Sequence, residues 1–242
     1  MKKLLIVSVL LIVFGLVSGC GQNDNSKHRN PYNLDLTQTI EAYNRQVSAN
    51  PQMEMADIGK SVKGIVLDIR YATPDNFTGE KIYESAKAFA RKPVVEALQK
   101  VGDSLAFHHL GLKIYDAYRP YAATVKFFEV YPDTNFVANP RHGSKHNRGC
   151  AVDVSLVELS SGKEIPMPTR FDDFSEKAAA DFPNLPDTVL VNRKLLSGVM
   201  AHFGFVRYQA EWWHYDFSGW ENYKLMDLSF GELEDALKQN QK

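Results

Sequence analysis

Short stretches of alternating apolar and polar residues predict five strands between residues 65 and 217. The first, with the sequence IVLDIRY, is also rich in β-branched side chains, which suit a half-buried strand. The longest runs from Gly149 to Leu159 and carries an aspartate, Asp153, among apolar residues. The predicted strands are Ile65–Tyr71, Leu112–Tyr118, Gly149–Leu159, Phe205–Tyr208 and Trp212–Phe217.

Apolar residues three and four positions apart predict helices before and between these strands. Val94, Leu98, Val101 and Leu105 form one such stripe, and Pro93 fits the first position of that helix. Further helices are predicted at Thr37–Gln46, from Arg119-Pro120 to about Val130, and at Asn192–His202. Helices come early and strands mostly late, without a regular βαβ alternation. We therefore expect one α+β domain with a central antiparallel sheet and flanking helices.

The first twenty residues are organised as an export signal. Two lysines precede an apolar stretch that is shorter than the roughly 20 residues of a membrane-spanning helix. The sequence LVSGC that follows resembles the bacterial lipobox, which implies cleavage before Cys20 and acylation of that cysteine. The alternative is an ordinary secretory signal with a chance cysteine. We predict a signal peptide at residues 1–19 and an exported lipoprotein, anchored to a bacterial membrane on its periplasmic or outer side.

Composition divides the rest of the chain into two parts. Residues 20–50 are rich in Asn, Gln and Ser and predict a flexible tether that begins at the lipidated Cys20, whereas residues 51–242 have the apolar content of a single domain. Cys150 is the other cysteine, so acylation of Cys20 excludes a disulfide, and alternation places Cys150 in the core, opposite Asp153. The formal net charge of −1 gives no reason to expect a nucleic-acid partner.

Two short segments carry candidate catalytic chemistry, SKHNRGCAVD at residues 144–153 and EWWH at residues 211–214. Together they offer two imidazoles and one carboxylate, the nitrogen and oxygen ligands that a catalytic zinc takes while one position stays open for water. The ligands would be His146, Asp153 and His214, with Glu211 as a free general base. A carboxylate within an apolar strand must be neutralised, because burying it unpaired is costly. A metal ion and a basic side chain both remain open as its partner.

The spacing of the second segment sets a structural requirement. Glu211 comes three residues before His214, and in a regular strand that offset places two side chains on opposite faces. For both to reach one cavity, the strand must be bulged there or Glu211 must lie at its entrance.

The two segments match the S-x-H-x-x-G-x-A-x-D and E-x-W-H signatures of the zinc D-Ala-D-Ala peptidases. Further stretches resemble motifs of one branch, the D-alanyl-D-alanine dipeptidases of the vancomycin-resistance type. They are YATPDNFTG at residues 71–79, DAYRP at residues 116–120, with Ala where Gly is common, and MPTRFD at residues 167–172, with Pro where Gly is common. The resemblance covers roughly residues 60–225 and implies the hedgehog/D,D-peptidase-like fold.

The resemblance also implies a role for each matching residue. One zinc ion per chain would be bound by His146, Asp153 and His214, and Glu211 would act as the general base that splits D-Ala-D-Ala into two D-alanines. Arg119 would stabilise the oxyanion, although it could instead be a structural partner of Asp116. Asp172, helped by Ser144, would bind the free ammonium group of the dipeptide, and Tyr71 would line the pocket.

Two alternative functions remain open at this point. A D,D-carboxypeptidase or endopeptidase acting on peptidoglycan stem peptides would use the same zinc and the same base, but it would meet no ammonium group beside the cut. Asp172 therefore carries the distinction, and its neighbour Asp173 is the alternative carboxylate for this role. A non-catalytic lipoprotein stabilised by zinc would be expected to lack Glu211 or Arg119, and both are present.

Overall fold

The structure, a computed structural model, describes residues 30–240. The predicted signal peptide at residues 1–19 and the predicted lipidation site at Cys20 lie outside these residues. The strands of the described residues are β1 (Leu36–Thr37), β2 (Met55–Asp57), β3 (Ile65–Leu67), β4 (Phe89–Arg91), β5 (Leu110–Asp116), β6 (Ala151–Glu158), β7 (Phe205–Arg207), β8 (His214–Phe217) and β9 (Leu225–Met226). The helices are α1 (Ile40–Ala49), α2 (Ile58–Ser61), α3 (Lys92–Ala106), α4 (Tyr121–Val130), α5 (Asp187–His202) and α6 (Phe230–Asn240).

Five strands form a central sheet in the order β3-β5-β6-β8-β7. The β3–β5 pair is parallel, and the other three pairs are antiparallel. Helices α3 and α5 pack against this sheet. Val152 and Val154 of β6 are fully buried, and because they alternate with Asp153, the aspartate points to the other face. The predicted α+β domain is confirmed, and its central sheet is antiparallel as predicted except for the β3–β5 pair.

The predicted strands and helices are present with shifted ends. Strand β3 ends at Leu67, four residues before the predicted end, and Tyr71 lies in a short 3-10 turn. The chain folds back after this turn, so that the carbonyl of Tyr71 accepts hydrogen bonds from the backbone N–H groups of Ile82 and Tyr83. Helix α5 begins earlier than predicted, directly after Pro186. Within residues 30–240, no helix is long and apolar enough to cross a membrane.

Residues 36–49 belong to the folded domain, so the domain starts before the predicted boundary at residue 51. Strand β1 pairs in parallel with β9, and α1 contacts α6. Tyr43 of α1 is fully buried, and its hydroxyl accepts a 2.7 Å hydrogen bond from the backbone N–H of Met55. Composition suggested a tether here because the helix buries only one narrow face.

Candidate active site

The sheet brings three candidate residues into one row. Asp116 at the end of β5 is paired with Asp153 of β6, and Asp153 is paired with His214 at the start of β8. Residues paired across neighbouring strands project from the same face of a sheet. The β5–β6 register shifts between Ile114 and Asp116, which is the irregularity that places Asp116 beside Asp153.

His146 reaches this row from the loop that leads into β6. It lies in a short 3-10 turn that ends at Gly149, whose φ of +70° is readily adopted only by glycine among common residues. The hydroxyl of Ser144 accepts a hydrogen bond from the His146 backbone N–H at 3.2 Å. The Asn147 amide donates to the carbonyl of Arg119 at 2.9 Å, which ties the turn to the chain after β5.

The three predicted ligands form a compact triangle of donor atoms. His146 Nε2 lies 3.2 Å from His214 Nδ1, which lies 3.0 Å from Asp153 Oδ1, and His146 Nε2 lies 3.5 Å from that same oxygen. Ligand atoms bonded to zinc at about 2.0–2.1 Å in a tetrahedron are about 3.3 Å apart. The observed separations bracket this value, so the donor set and its spacing fit a zinc ion.

Outer hydrogen bonds orient the two imidazoles. His146 Nδ1 lies 2.6 Å from the carbonyl oxygen of Ala117, which can only accept, so Nδ1 carries the proton and Nε2 offers its lone pair. His214 Nε2 lies 2.9 Å from Asp216 Oδ1, and Asp216 is paired at 2.6 Å with the ammonium of Lys145. Carboxylates and carbonyls behind ligating histidines fix their orientation in metal sites.

The carboxylates of Asp153 and Asp216 on either side of His214 also require a positive charge between them. Burial raises the pKa of Asp153, but the imidazoles of His146 and His214 outweigh it and hold that pKa below its ordinary value. Burial lowers the pKa of His214, but hydrogen bonds to Asp153 and Asp216 raise it to about 10. Without a metal, a proton on His214 therefore supplies the positive charge between the two carboxylates.

Glu211 lies at the entrance of β8 rather than in a bulge, which is one of the two arrangements its spacing required. Glu211 is 6% exposed, and its carboxylate lies 3.8 Å from His214 Nδ1, inside the cavity that the three predicted ligands line. Burial raises its pKa to about 8. The structure thus places a basic carboxylate next to the triangle of donor atoms.

Arg119 is held in place before any ligand arrives. Its Nε and Nη2 atoms donate to Asp116 Oδ2 at 3.0 and 2.7 Å, and Tyr83 donates to the other oxygen of Asp116 at 2.8 Å. The guanidinium stacks over the ring of Phe127 at 4.7 Å and lies 3.9 Å from Asp153. Arg119 is thus both the partner of Asp116 and a cation lining the cavity.

Asp172 is a buried carboxylate with one unsatisfied oxygen. Its Oδ1 accepts a 3.0 Å hydrogen bond from the Tyr71 hydroxyl, whereas the buried Oδ2 has no hydrogen-bond partner. Burial, reinforced by the charge of Asp153, raises its pKa to about 8. Of the two neighbouring aspartates, Asp172 lines the cavity, whereas the carboxylate of Asp173 accepts a hydrogen bond from the backbone of Ser175.

A single cavity of about 190 Å³ joins these groups. It is of the order of the cavities of about 150 Å³ that enclose one benzene-sized molecule. Ser144 and Trp213 also line it, and further walls that sequence reasoning missed come from the loop at residues 134–138 and from Phe174 and Tyr208. Sequence reasoning also missed Asp216, although its position two residues after His214 places it on the same strand face.

Cys150 lies in the core, as predicted. It is fully buried directly before β6, and it is a free thiol whose pKa burial raises to about 12. The thiol is therefore neutral and plays no part in the cavity.

Comparison with known proteins identifies the family. The sequence profile of the D-ala-D-ala dipeptidase family matches residues 51–229. The D-alanyl-D-alanine dipeptidase of Escherichia coli (strain K12) is 34% identical over 177 residues, which are 73% of this chain and 91% of that protein. The D-alanyl-D-alanine dipeptidase of Enterococcus faecium is 32% identical over 174 residues, which are 64% of this chain and 86% of that protein.

Among solved structures, a mutant of the vancomycin resistance D,D-pentapeptidase VanY in complex with Zn(II) superposes with a TM-score of 0.37 and 17% identity, over 62% of this chain and 84% of that one. The family assignment rests on the sequence match, which spans every candidate site residue from Tyr71 to His214. The prediction of a peptidase of this type is confirmed. The chain belongs to the D-Ala-D-Ala dipeptidase family.

Proposed function

We propose that this protein is a zinc-dependent dipeptidase that hydrolyses D-Ala-D-Ala to two D-alanines. The observation that carries the proposal is the unsatisfied buried oxygen of Asp172 in the cavity that also holds the donor triangle. A buried carboxylate without a partner is costly, so it calls for a cation. The free ammonium group of a dipeptide supplies one.

In this proposal His146, Asp153 and His214 bind one zinc ion. The triangle of donor atoms and the outer hydrogen bonds from Ala117 and to Asp216 support this role. When bound, zinc supplies Lewis-acid chemistry, which makes water more acidic and polarises a carbonyl group.

Glu211 is the proposed proton carrier. Its carboxylate accepts a proton from the attacking water as the oxygen bonds to the scissile carbonyl carbon. It then returns that proton to the amide nitrogen as the C–N bond breaks, so no net proton is gained or lost by the enzyme. Its position in the cavity next to His214 supports this role.

Arg119 is the proposed stabiliser of the negative charge that develops on the carbonyl oxygen. Because Asp116 and Phe127 hold the guanidinium in place, little reorganisation is needed during the reaction. The presence of both Arg119 and Glu211 in the cavity argues against a non-catalytic, zinc-stabilised protein.

Asp172 is the proposed specificity residue, with Tyr71 as its positioning partner. The Tyr71 hydroxyl fixes one carboxylate oxygen and leaves the other for the substrate ammonium. Ser144 lines the same cavity, but its hydroxyl accepts from the backbone of His146, which supports a role in shaping the ligand loop.

The test is a product assay with purified zinc-loaded protein on D-Ala-D-Ala and on an N-acylated D-Ala-D-Ala peptide. We expect D-alanine from the free dipeptide and little from the blocked peptide. Asp172→Asn should lower kcat/KM for the free dipeptide by about 10- to 100-fold, since it removes a charge-assisted hydrogen bond. Equal activity on both substrates, with an equal loss in the variant, would instead indicate a D,D-carboxypeptidase or endopeptidase.

We also propose that the chain is exported and anchored to a bacterial membrane through Cys20. The support is the sequence of residues 1–20, where two lysines, an apolar stretch and the lipobox-like LVSGC follow one another. An exported enzyme would meet dipeptides released from cell-wall fragments, so salvage of D-alanine is the role that fits the anchor.

A further inference from the structure

The dipeptide of the proposed reaction is a zwitterion, so its cavity needs a cation for the terminal carboxylate as well as an anion for the ammonium. A fully charged ligand end that finds no partner in a confined site weakens binding strongly. Among the described residues that line the cavity, the lysine and arginine side chains are Arg119 and Lys145.

Arg119 is already committed to other groups. Asp116 holds two of its nitrogen atoms, and the guanidinium lies against Phe127 on the side of Asp153, close to the metal-ligand triangle. A cation in this position faces the bond being cut rather than the end of the substrate.

The ammonium group of Lys145 has N–H donors available for a ligand. Within residues 30–240, this ammonium makes one hydrogen bond, at 2.6 Å, to Asp216 Oδ2, and it lies 5.1 Å from the centre of the Trp220 ring. An ammonium group has three N–H donors, so one bond to Asp216 leaves two for another acceptor. The side chain is 35% exposed, which leaves it accessible from the cavity.

We propose that Lys145 binds the terminal carboxylate of the substrate while it keeps its bond to Asp216. This assignment rests on the proposed dipeptidase function and deepens it. Lys145 and Asp172 would then hold the two ends of one zwitterion in a cavity of about 190 Å³, which limits the substrate to a short peptide with a free carboxyl terminus.

A different role for Lys145 follows from the same contacts. Because Asp216 also accepts from His214 Nε2, Lys145 could act only through Asp216, by orienting a metal ligand. That role predicts a change in zinc affinity and an equal loss on every substrate. Carboxylate binding predicts a loss confined to substrates that carry a carboxylate.

The test compares zinc-loaded wild type, Lys145→Met and Lys145→Arg on D-Ala-D-Ala and on D-Ala-D-alaninamide. We expect Lys145→Met to raise KM for the free acid by roughly 10- to 100-fold and to leave KM for the amide within about twofold. Lys145→Arg should recover most of the loss. Lys224→Met is the matched control, because Lys224 also pairs with a carboxylate, Asp35, but lies outside the cavity.

Zinc affinity, measured by chelator competition, separates the outcomes. Unchanged affinity with a loss confined to the acid supports carboxylate binding. Lowered affinity with equal losses on both substrates, or no loss on either, overturns it. If the wild type cleaves neither substrate, the dipeptidase proposal itself fails. Calorimetric binding of the same acid and amide to wild type and Lys145→Met then decides the role of Lys145 on its own.

Discussion

Asp172 combines a left-handed backbone with a buried carboxylate oxygen that has no hydrogen-bond partner. Its φ is +59°, a region that non-glycine residues rarely occupy, and Oδ2 has no partner. Such features lower stability and are expected where a ligand compensates for them. The motifs in the sequence predicted that Asp172 and Tyr71 share a pocket, and the tertiary structure adds the hydrogen bond that joins these two distant segments.

The raised pKa of Asp172 gives a prediction for stability. Burial raises the pKa of Asp172 in the folded state from its ordinary value of 3.8 to about 8, so below pH 4 both states hold the proton and there is no penalty. As pH rises from 4 to 8, only the unfolded state releases the proton, and folding stability falls. Asp172→Asn removes this pH-dependent loss of stability, and asparagine adopts a positive φ more readily than most residues.

We therefore expect Asp172→Asn to stabilise the metal-free protein by on the order of 2–4 kcal/mol at pH 9 and by little at pH 4. Urea unfolding at both pH values, with zinc removed by a chelator, measures the difference. A stability difference that does not change with pH would contradict the burial penalty.

Glu211→Gln tests the proton carrier separately from metal binding. The amide keeps the shape of the side chain but cannot accept a proton, so kcat should fall by about 10²–10⁴-fold. Zinc content, measured by atomic spectroscopy, should stay at the wild-type level because Glu211 is not one of the three ligands. Normal turnover would remove Glu211 from the mechanism, and loss of zinc would make it a ligand.

At the scale of elements, the site depends on one turn and three strands. The alternation of β6 predicted where Asp153 would point, and the motifs predicted that His146 and His214 would meet it. The sequence could not predict that β5 shifts register beside Asp116, because a bulge depends on its partner strand. It also missed the loop at residues 134–138, which reaches the cavity through tertiary packing alone.

Gly149 sets the direction of the turn between His146 and β6. Its φ is +70°, and an added Cβ would lie 2.9 Å from the Met55 side chain and 3.3 Å from the backbone nitrogen of Arg91. Gly149→Ala should lower the free energy of unfolding by about 1–3 kcal/mol and weaken zinc binding.

Gly198→Ala is the matched control for this change. Gly198 lies within α5, and apart from its chain neighbours and the nearby backbone of its own helix, no heavy atom of the described residues lies within 4 Å of its added Cβ. Alanine there should stabilise the helix by roughly 0.5–1 kcal/mol. Urea unfolding of both variants checks the prediction, and equal stability of Gly149→Ala and wild type would show that the turn tolerates a side chain.

At the scale of the whole molecule, the fold joins segments from the two ends of the described chain. Strand β1 pairs with β9, and α1 contacts α6. Composition assigned residues 36–49 to a tether, because a two-residue strand and a helix with one narrow buried face leave little apolar signal. Pairing between segments so far apart in sequence is not encoded in any local pattern.

The proposed membrane anchoring of the whole molecule depends on Cys20. We expect full-length protein expressed in a bacterium to incorporate a labelled fatty acid and to sediment with membranes. Cys20→Ala should abolish both, whereas Cys150→Ala, which changes the other cysteine, should keep both. Labelling of Cys20→Ala, or an unlabelled wild type, would contradict the lipid anchor.

Asp153 and His214 face each other across two hydrogen-bonded strands, whereas Asp172 and Lys145 lie on connecting segments. These two proposed metal ligands are therefore fixed by backbone pairing, and the groups proposed to select the substrate are not. Changes in the segment around Asp172 can then alter which amino-terminal group is accepted without disturbing these two ligands. Such a separation makes the domain evolvable, because new specificities can arise while the chemistry is retained.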